Sequence, residues 1–131
     1  MPSSEEVFDR IRADRGHVPS SFETAARFDP GALAAFHESY QHAMGQASAL
    51  DDKTKQLILI AVDTAQYFSH GIRFHMDEAL RLGATAHEIT SAMRLAGLVA
   101  GFHAPLVAYP LLAEAMEAAG VPSESTPEQS A

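Results

Sequence analysis

Apolar side chains recur along this chain at spacings of three and four residues, and capping residues interrupt them at short intervals. Ser3 and Glu6 have the spacing of a capping box, and Val7, Phe8 and Ile11 follow on one helical face. Gly16 closes that first predicted helix. A short second helix is expected from Ser20 or Ser21, with Glu23 in its first turn. Asp29-Pro30 reads as an N-cap followed by proline at the first helical position. Leu33, Phe36, Tyr40 and Met44 then form a stripe that Gly45 stops. Asp51 opens a fourth helix in which Leu57, Ile58, Ile60, Ala61 and Val62 are apolar nearly all round, so it is predicted to be the central, most buried element.

The fourth helix is expected to end within Tyr67–Gly71. A fifth runs on to Leu82, with Gly83 just past its end. Thr85 and Glu88 repeat the capping-box spacing and start a sixth, carrying Ile89, Met93 and Ala96 up to Gly101. His103-Ala104-Pro105 opens a seventh, with Leu106, Tyr109, Leu112 and Met116 before Gly120 and Pro122. Pro110 falls inside it and removes a backbone hydrogen bond, so a kink is expected there. Strand signals are nearly absent: no Asn-Gly or Asp-Gly turn occurs, and no segment alternates over a strand's length. The expected fold is all-α, one domain over residues 1–122 built as a bundle or orthogonal array of about six to seven helices. Residues 123–131 are Ser, Thr, Pro, Glu, Gln and Ala, and a disordered tail is expected there.

Composition narrows the function. With 131 residues and 47% hydrophobic side chains, the chain holds enough apolar surface for one core. A net charge of -8 lacks the basic footprint of a nucleic-acid binder and repels anionic lipid surfaces. The longest apolar stretch, Leu57 to Val62, stops at Asp63, far short of the roughly 20 residues that span a bilayer. The start Met-Pro-Ser-Ser-Glu-Glu has neither the basic nor the apolar region of a signal peptide, so a cytoplasmic location is expected by elimination. There is no cysteine, which removes disulfides and thiol redox chemistry together.

Candidate chemistry concentrates between Asp63 and His75. Asp, Tyr, Ser, Arg and two His surround the break between two apolar helices, a natural pocket wall. Gln56, Asp63 and Tyr67 lie seven and then four residues apart, which places them on one helical face. A carboxylate on a buried face must be paired, hydrated or protonated, with Arg73 or a His as partner. One reading makes Asp63 an acid, base or orienter; the other makes it a structural ion pair or part of a water-facing stripe. His75 lies near the face of Ile72, Met76 and Ala79, and His70 precedes it by five residues. Ser69 reads as a helix N-cap rather than a nucleophile, because no Gly-x-Ser-x-Gly elbow is present. The spacings of His70, His75 and His103 match no standard ligand pattern, so no metal is expected.

The run Leu50 to Val62, with Gln56 inside it, resembles the helix that precedes the active site in the carboxymuconolactone decarboxylase / alkylhydroperoxidase D-like superfamily. Phe68-Ser-His70-Gly71 through His75 and on to Gly83-Ala-Thr-Ala-His-Glu-Ile is similar to that superfamily's CxxCxxxH segment and its continuation, and Ala100-Gly-Phe-His-Ala-Pro-Leu to its last-helix entry. The resemblance covers roughly residues 20 to 120. It implies the alkylhydroperoxidase D-like helical fold and assembly into trimers or hexamers. In the peroxidase branch two cysteines fall where this chain has Phe68 and Gly71, a proton-relaying Glu falls at Gln56, and the relay histidines fall at His70 and His75. Phe and Gly supply no thiolate, so thiol peroxidase activity is excluded.

The decarboxylase branch works without the cysteine pair, and the resemblance implies a cofactor-free lyase or isomerase acting on a small organic acid or lactone. His75, His70 and Gln56 are then the expected catalytic set, and Arg73, Asp63, Tyr67, Phe68, Ser69 and His103 the expected substrate contacts. The alternative is a binding or scaffold protein that kept the fold and lost the chemistry, which the replacement of Glu by Gln56 favours. A homo-oligomer is expected, with no nucleic-acid and no membrane partner.

Overall fold

The computed structural model describes residues 2–122; the tail expected at 123–131 lies outside the described residues. Seven helices and no strand occur among them. The chain divides into two compact units, Met1–Ala49 and Leu50–Ala131.

The first unit holds α1 (Ser4–Arg15), α2 (Ser20–Phe28) and α3 (Pro30–Met44). The capping box forms as its spacing predicts: the Glu6 N–H donates to Ser3 Oγ at 3.2 Å, and the Ser3 N–H donates to the Glu6 carboxylate at 2.7 Å. Asp29 accepts from the Ala32 N–H at 3.1 Å, with Pro30 at the first helical position. Val7, Ile11, Ala26 and Leu33 form the core. The stripe expected on α3 is rearranged. Leu33 is buried, but the second fully buried side chain is His37, and Phe36 stays half exposed. His37 is buried because it has a partner: its Nε2 lies 2.9 Å from Asp14 on α1. Phe36 and Tyr40 of α3, with Phe22 of α2, surround a cation. The Arg15 guanidinium lies 3.9 Å from the Tyr40 ring centre, 5.1 Å from Phe22 and 5.6 Å from Phe36.

The second unit holds α4 (Asp52–Ala65), α5 (Ser69–Arg81), α6 (Ala86–Ala100) and α7 (His103–Ala118). Its core joins Ile60, Ile72, Met76, Ile89, Met93 and Leu112. Each such side chain contributes about 1.5–3 kcal/mol on burial. The α5 helix ends in a Schellman turn: Gly83 takes φ 89°, and the Ala84 N–H reaches the Ala79 carbonyl at 2.9 Å. Thr85 and Glu88 form the second capping box. The α7 helix continues through Pro110, whose ring sits on the exposed side and leaves the Leu106 carbonyl without its helical donor.

α4 is central in its packing, touching α5, α6 and α7, but it is not the apolar rod its sequence suggests. Ile58 and Val62 are each nearly half exposed, while Lys55, Gln56 and Thr64 are buried beside Ile60. The neighbours cover one side of the helix: there Gln56 bonds to His75 on α5, Lys55 pairs with Asp52 on its own helix, and the Thr64 hydroxyl is buried with no hydrogen-bond partner. A second exposed apolar surface runs off the end of α6. Leu95, Leu98, Val99 and Phe102 are 63–87% exposed, at helical spacing. No helix of the described residues is long and apolar enough to cross a membrane.

Candidate functional site

The junction between α4 and α5 sets the site. After Ala65 the chain turns sharply through Tyr67, whose backbone takes the left-handed φ of 56° that side chains other than glycine rarely adopt. The turn is held by the Tyr67 N–H on the Thr64 carbonyl (3.1 Å) and the Phe68 N–H on the Asp63 carbonyl (3.0 Å). It sends α5 back along α4, so that residues one turn and more into α5 lie beside Gln56, Ile60 and Asp63.

Three polar side chains meet there. His75 Nδ1 lies 2.8 Å from Gln56 Oε1, and its Nε2 lies 3.5 Å from Asp63 Oδ2. The first distance is a good hydrogen bond; the second is ion-pair range but longer than a formed hydrogen bond. An amide oxygen only accepts, so Nδ1 carries a hydrogen and Nε2 is the nitrogen that faces the carboxylate. Gln56 is buried, and the His75 and Asp63 side chains keep 13% and 15% of their surface. Burial pushes the Asp63 carboxyl above its ordinary value. Phe74 stands edge-on to the His75 ring at 5.2 Å between centres.

The other expected site residues are arranged differently. His70 is exposed, its ring tilted 47° against Phe68 at 6.3 Å. Tyr67 does not extend the Gln56–Asp63 stripe, because α4 ends before it; both Tyr67 and Phe68 are half exposed at the turn. Ser69 is the first helical residue, not the cap; Phe68 occupies the cap position and supplies no side-chain acceptor. Arg73 is held by Asp77 at 3.0 Å and Glu114 at 3.2 Å. His103 opens α7, exposed. No group of three or more His, Cys, Asp or Glu among the described residues is arranged to hold a metal ion.

The carboxymuconolactone decarboxylase family model matches residues 30–119, more than half of the chain. The chain belongs to the carboxymuconolactone decarboxylase family. It is also similar in fold to the crystal structure of the "putative carboxymuconolactone decarboxylase from Burkholderia xenovorans LB400", with a TM-score of 0.76 and 22% identity over 89% of this chain and 97% of that one. No curated protein matches the chain. In this carboxymuconolactone decarboxylase family member the segment that resembles the peroxidase motif carries no thiol, and the structure reveals what stands there instead.

Two features escape the sequence. Gly71 is one: a side chain there would run into the Asp63 carboxylate and come within 2.7 Å of the Phe68 ring. Its only sequence signal is a glycine in the first turn of a helix whose φ needs no glycine. The other is a groove of about 730 Å³ at the far end of α5, lined by Leu80, Ala84, His87, Tyr109, Leu112 and Met116 among others. None of Gln56, Asp63 and His75 lines it.

Proposed function

We propose that this protein is a cofactor-independent lyase or isomerase of the decarboxylase kind, acting on a small carboxylated or lactone metabolite by proton transfer through His75. The observation that carries the reading is the imidazole held at Nδ1 by Gln56, with Nε2 turned to a largely buried carboxylate. An imidazole anchored at one nitrogen keeps the other aligned for proton exchange near neutral pH. In a decarboxylation the bond to the carboxylate carbon breaks, CO₂ leaves, and its electron pair passes into a conjugated carbonyl as an enolate. A proton then returns to carbon.

The α5 helix has no side-chain cap, so its first-turn N–H groups near His70 suit the substrate carboxylate. Tyr67, Phe68 and Ser69 wall that end in this reading, and the exposed rings of His70 and His103 serve as outer contacts. Arg73 reaches substrate only by giving up Asp77 and Glu114. We assign the Leu95–Phe102 surface to contact between copies, making the protein a homo-oligomer; Leu98→Asp should lower the mass seen by light scattering. The test of the chemistry is a screen of lactone and unsaturated acids by ¹³C NMR for CO₂ release or isomer exchange. Turnover that survives His75→Ala overturns it.

A second reading, ligand binding without turnover, is favoured by the groove between α5, α6 and α7, whose volume suits a small molecule. Ligand-induced NMR shifts confined to His87 and Tyr109, with His75 unmoved, would favour it.

A further inference from the structure

We infer that Asp63 and His75 form one acid–base unit holding a single exchangeable proton, and that Gly71 is the socket that lets the carboxylate reach the imidazole. The proton sharing stands on geometry; its use in catalysis rests on the lyase reading above.

Gln56 accepts at Nδ1, so Nε2 meets Asp63 Oδ2 at 3.5 Å with either a lone pair or a second hydrogen. A lone pair facing an ionised carboxylate, both largely shielded from water, is repulsive. One proton between them removes the repulsion, giving either a carboxylic acid against a neutral ring or a carboxylate against an imidazolium. Two protonic forms of one pair titrate as a unit. Among the described residues the cation within ion-pair distance of Asp63 is the His75 ring. Arg73 is engaged by Asp77 and Glu114, Lys55 by Asp52, and His70 is exposed against Phe68.

Gly71 is explained by the same arrangement. Its backbone is not left-handed, and glycine is a poor helix former, so neither torsion nor propensity asks for it. Space does: a Cβ would meet the Asp63 carboxylate and stand 3.0 Å from its carbon. The glycine and the carboxylate are two halves of one fit. In the lyase reading the Nε2–H bond breaks as the new C–H bond forms at the carbon that lost CO₂. The proton comes from the imidazolium, Asp63 remains ionised, and the pair takes a proton back from water.

The test is ¹⁵N NMR of the His75 ring in the ligand-free protein, with circular dichroism as the folding control. In the native protein the Nε2 signal should lie away from the lone-pair position, with Nδ1 protonated. Asp63→Asn should move Nε2 toward that position, because the amide cannot share a proton. Gly71→Ala, which keeps the aspartate but closes its socket, should move it the same way while α5 stays helical. An Nε2 signal that is unchanged in Asp63→Asn overturns the shared proton, and one unchanged in Gly71→Ala overturns the socket. Both shifts, in a protein that turns over no acid or lactone, would keep the unit and remove the lyase reading.

Discussion

Two histidine–carboxylate pairs, one in each compact unit, can be compared among the described residues, and they differ in access and in the state of the second ring nitrogen. In the first unit His37 Nε2 lies 2.9 Å from Asp14, which also accepts from the Gln41 amide at 2.8 Å. The His37 ring is 2% exposed and its Nδ1 is buried without a hydrogen bond. That pair is short and sealed, so no substrate atom can touch the imidazole. In the second unit the His75–Asp63 contact is looser, both side chains keep some surface, and the second ring nitrogen is fixed by Gln56. The shorter contact is the sealed one. Pair distance alone favours His37; access and the anchored second nitrogen favour His75 in the proposed reading.

The sharpest way to break this comparison is to remove each imidazole in turn. His75→Ala should lower turnover of any substrate found by about 10²–10⁴-fold, the usual contribution of a positioned acid or base, and cost about 1–3 kcal/mol as the buried Gln56 loses its partner. His37→Ala should keep turnover per folded molecule and cost more, roughly 2–4 kcal/mol, as a large buried side chain is truncated. Denaturant melts and steady-state rates on both variants give the four numbers; a crossed result removes the distinction.

A smaller effect is expected at Asp14. Asp14→Ala leaves the buried His37 Nε2 without its partner and should cost about 1–3 kcal/mol, read from the urea midpoint.

The smallest effect concerns pH. Burial holds the Asp63 carboxyl above its unfolded value, so it binds its proton more tightly when folded. Stability from this group is fully present below the unfolded carboxylate range and is lost as pH rises through the folded value. Asp63→Asn should therefore melt like the native protein in acid and above it once that range is passed. A loss that grows as pH rises would mean that pairing with His75 outweighs burial.

Local patterns were legible because local forces make them. The capping boxes at Ser3/Glu6 and Thr85/Glu88, the Asp29-Pro30 start and the Gly83 stop depend on groups a few residues apart, and each forms at its expected position. The number of helices followed from the same spacing, and the family from the resemblance of Leu50–Val62, the segment from Phe68 and the Ala100–Leu106 run. Where propensity had to guess what a face would meet, it erred. Phe36 and Tyr40 share a stripe with Leu33 by spacing, yet Phe36 is half exposed and the two rings flank the Arg15 cation. Ile58 and Val62 belong to a stretch that is apolar nearly all round in the helix expected to be most buried, and both are substantially exposed.

The candidate site divides the same way. The amino-acid order alone determined that no thiol is available, that Asp63, His70 and His75 sit around a helix break, and that Gln56 shares the helical face of Asp63. Tertiary structure decided which of them touch. A helical face is set by 3.6-residue periodicity, but its neighbour is set by the turn at Tyr67 and the direction α5 takes from it. Read along the chain, Gly71 is only a missing side chain. In three dimensions it is the space that Asp63 fills, because van der Waals exclusion acts between residues that the fold, and not the sequence, brings together.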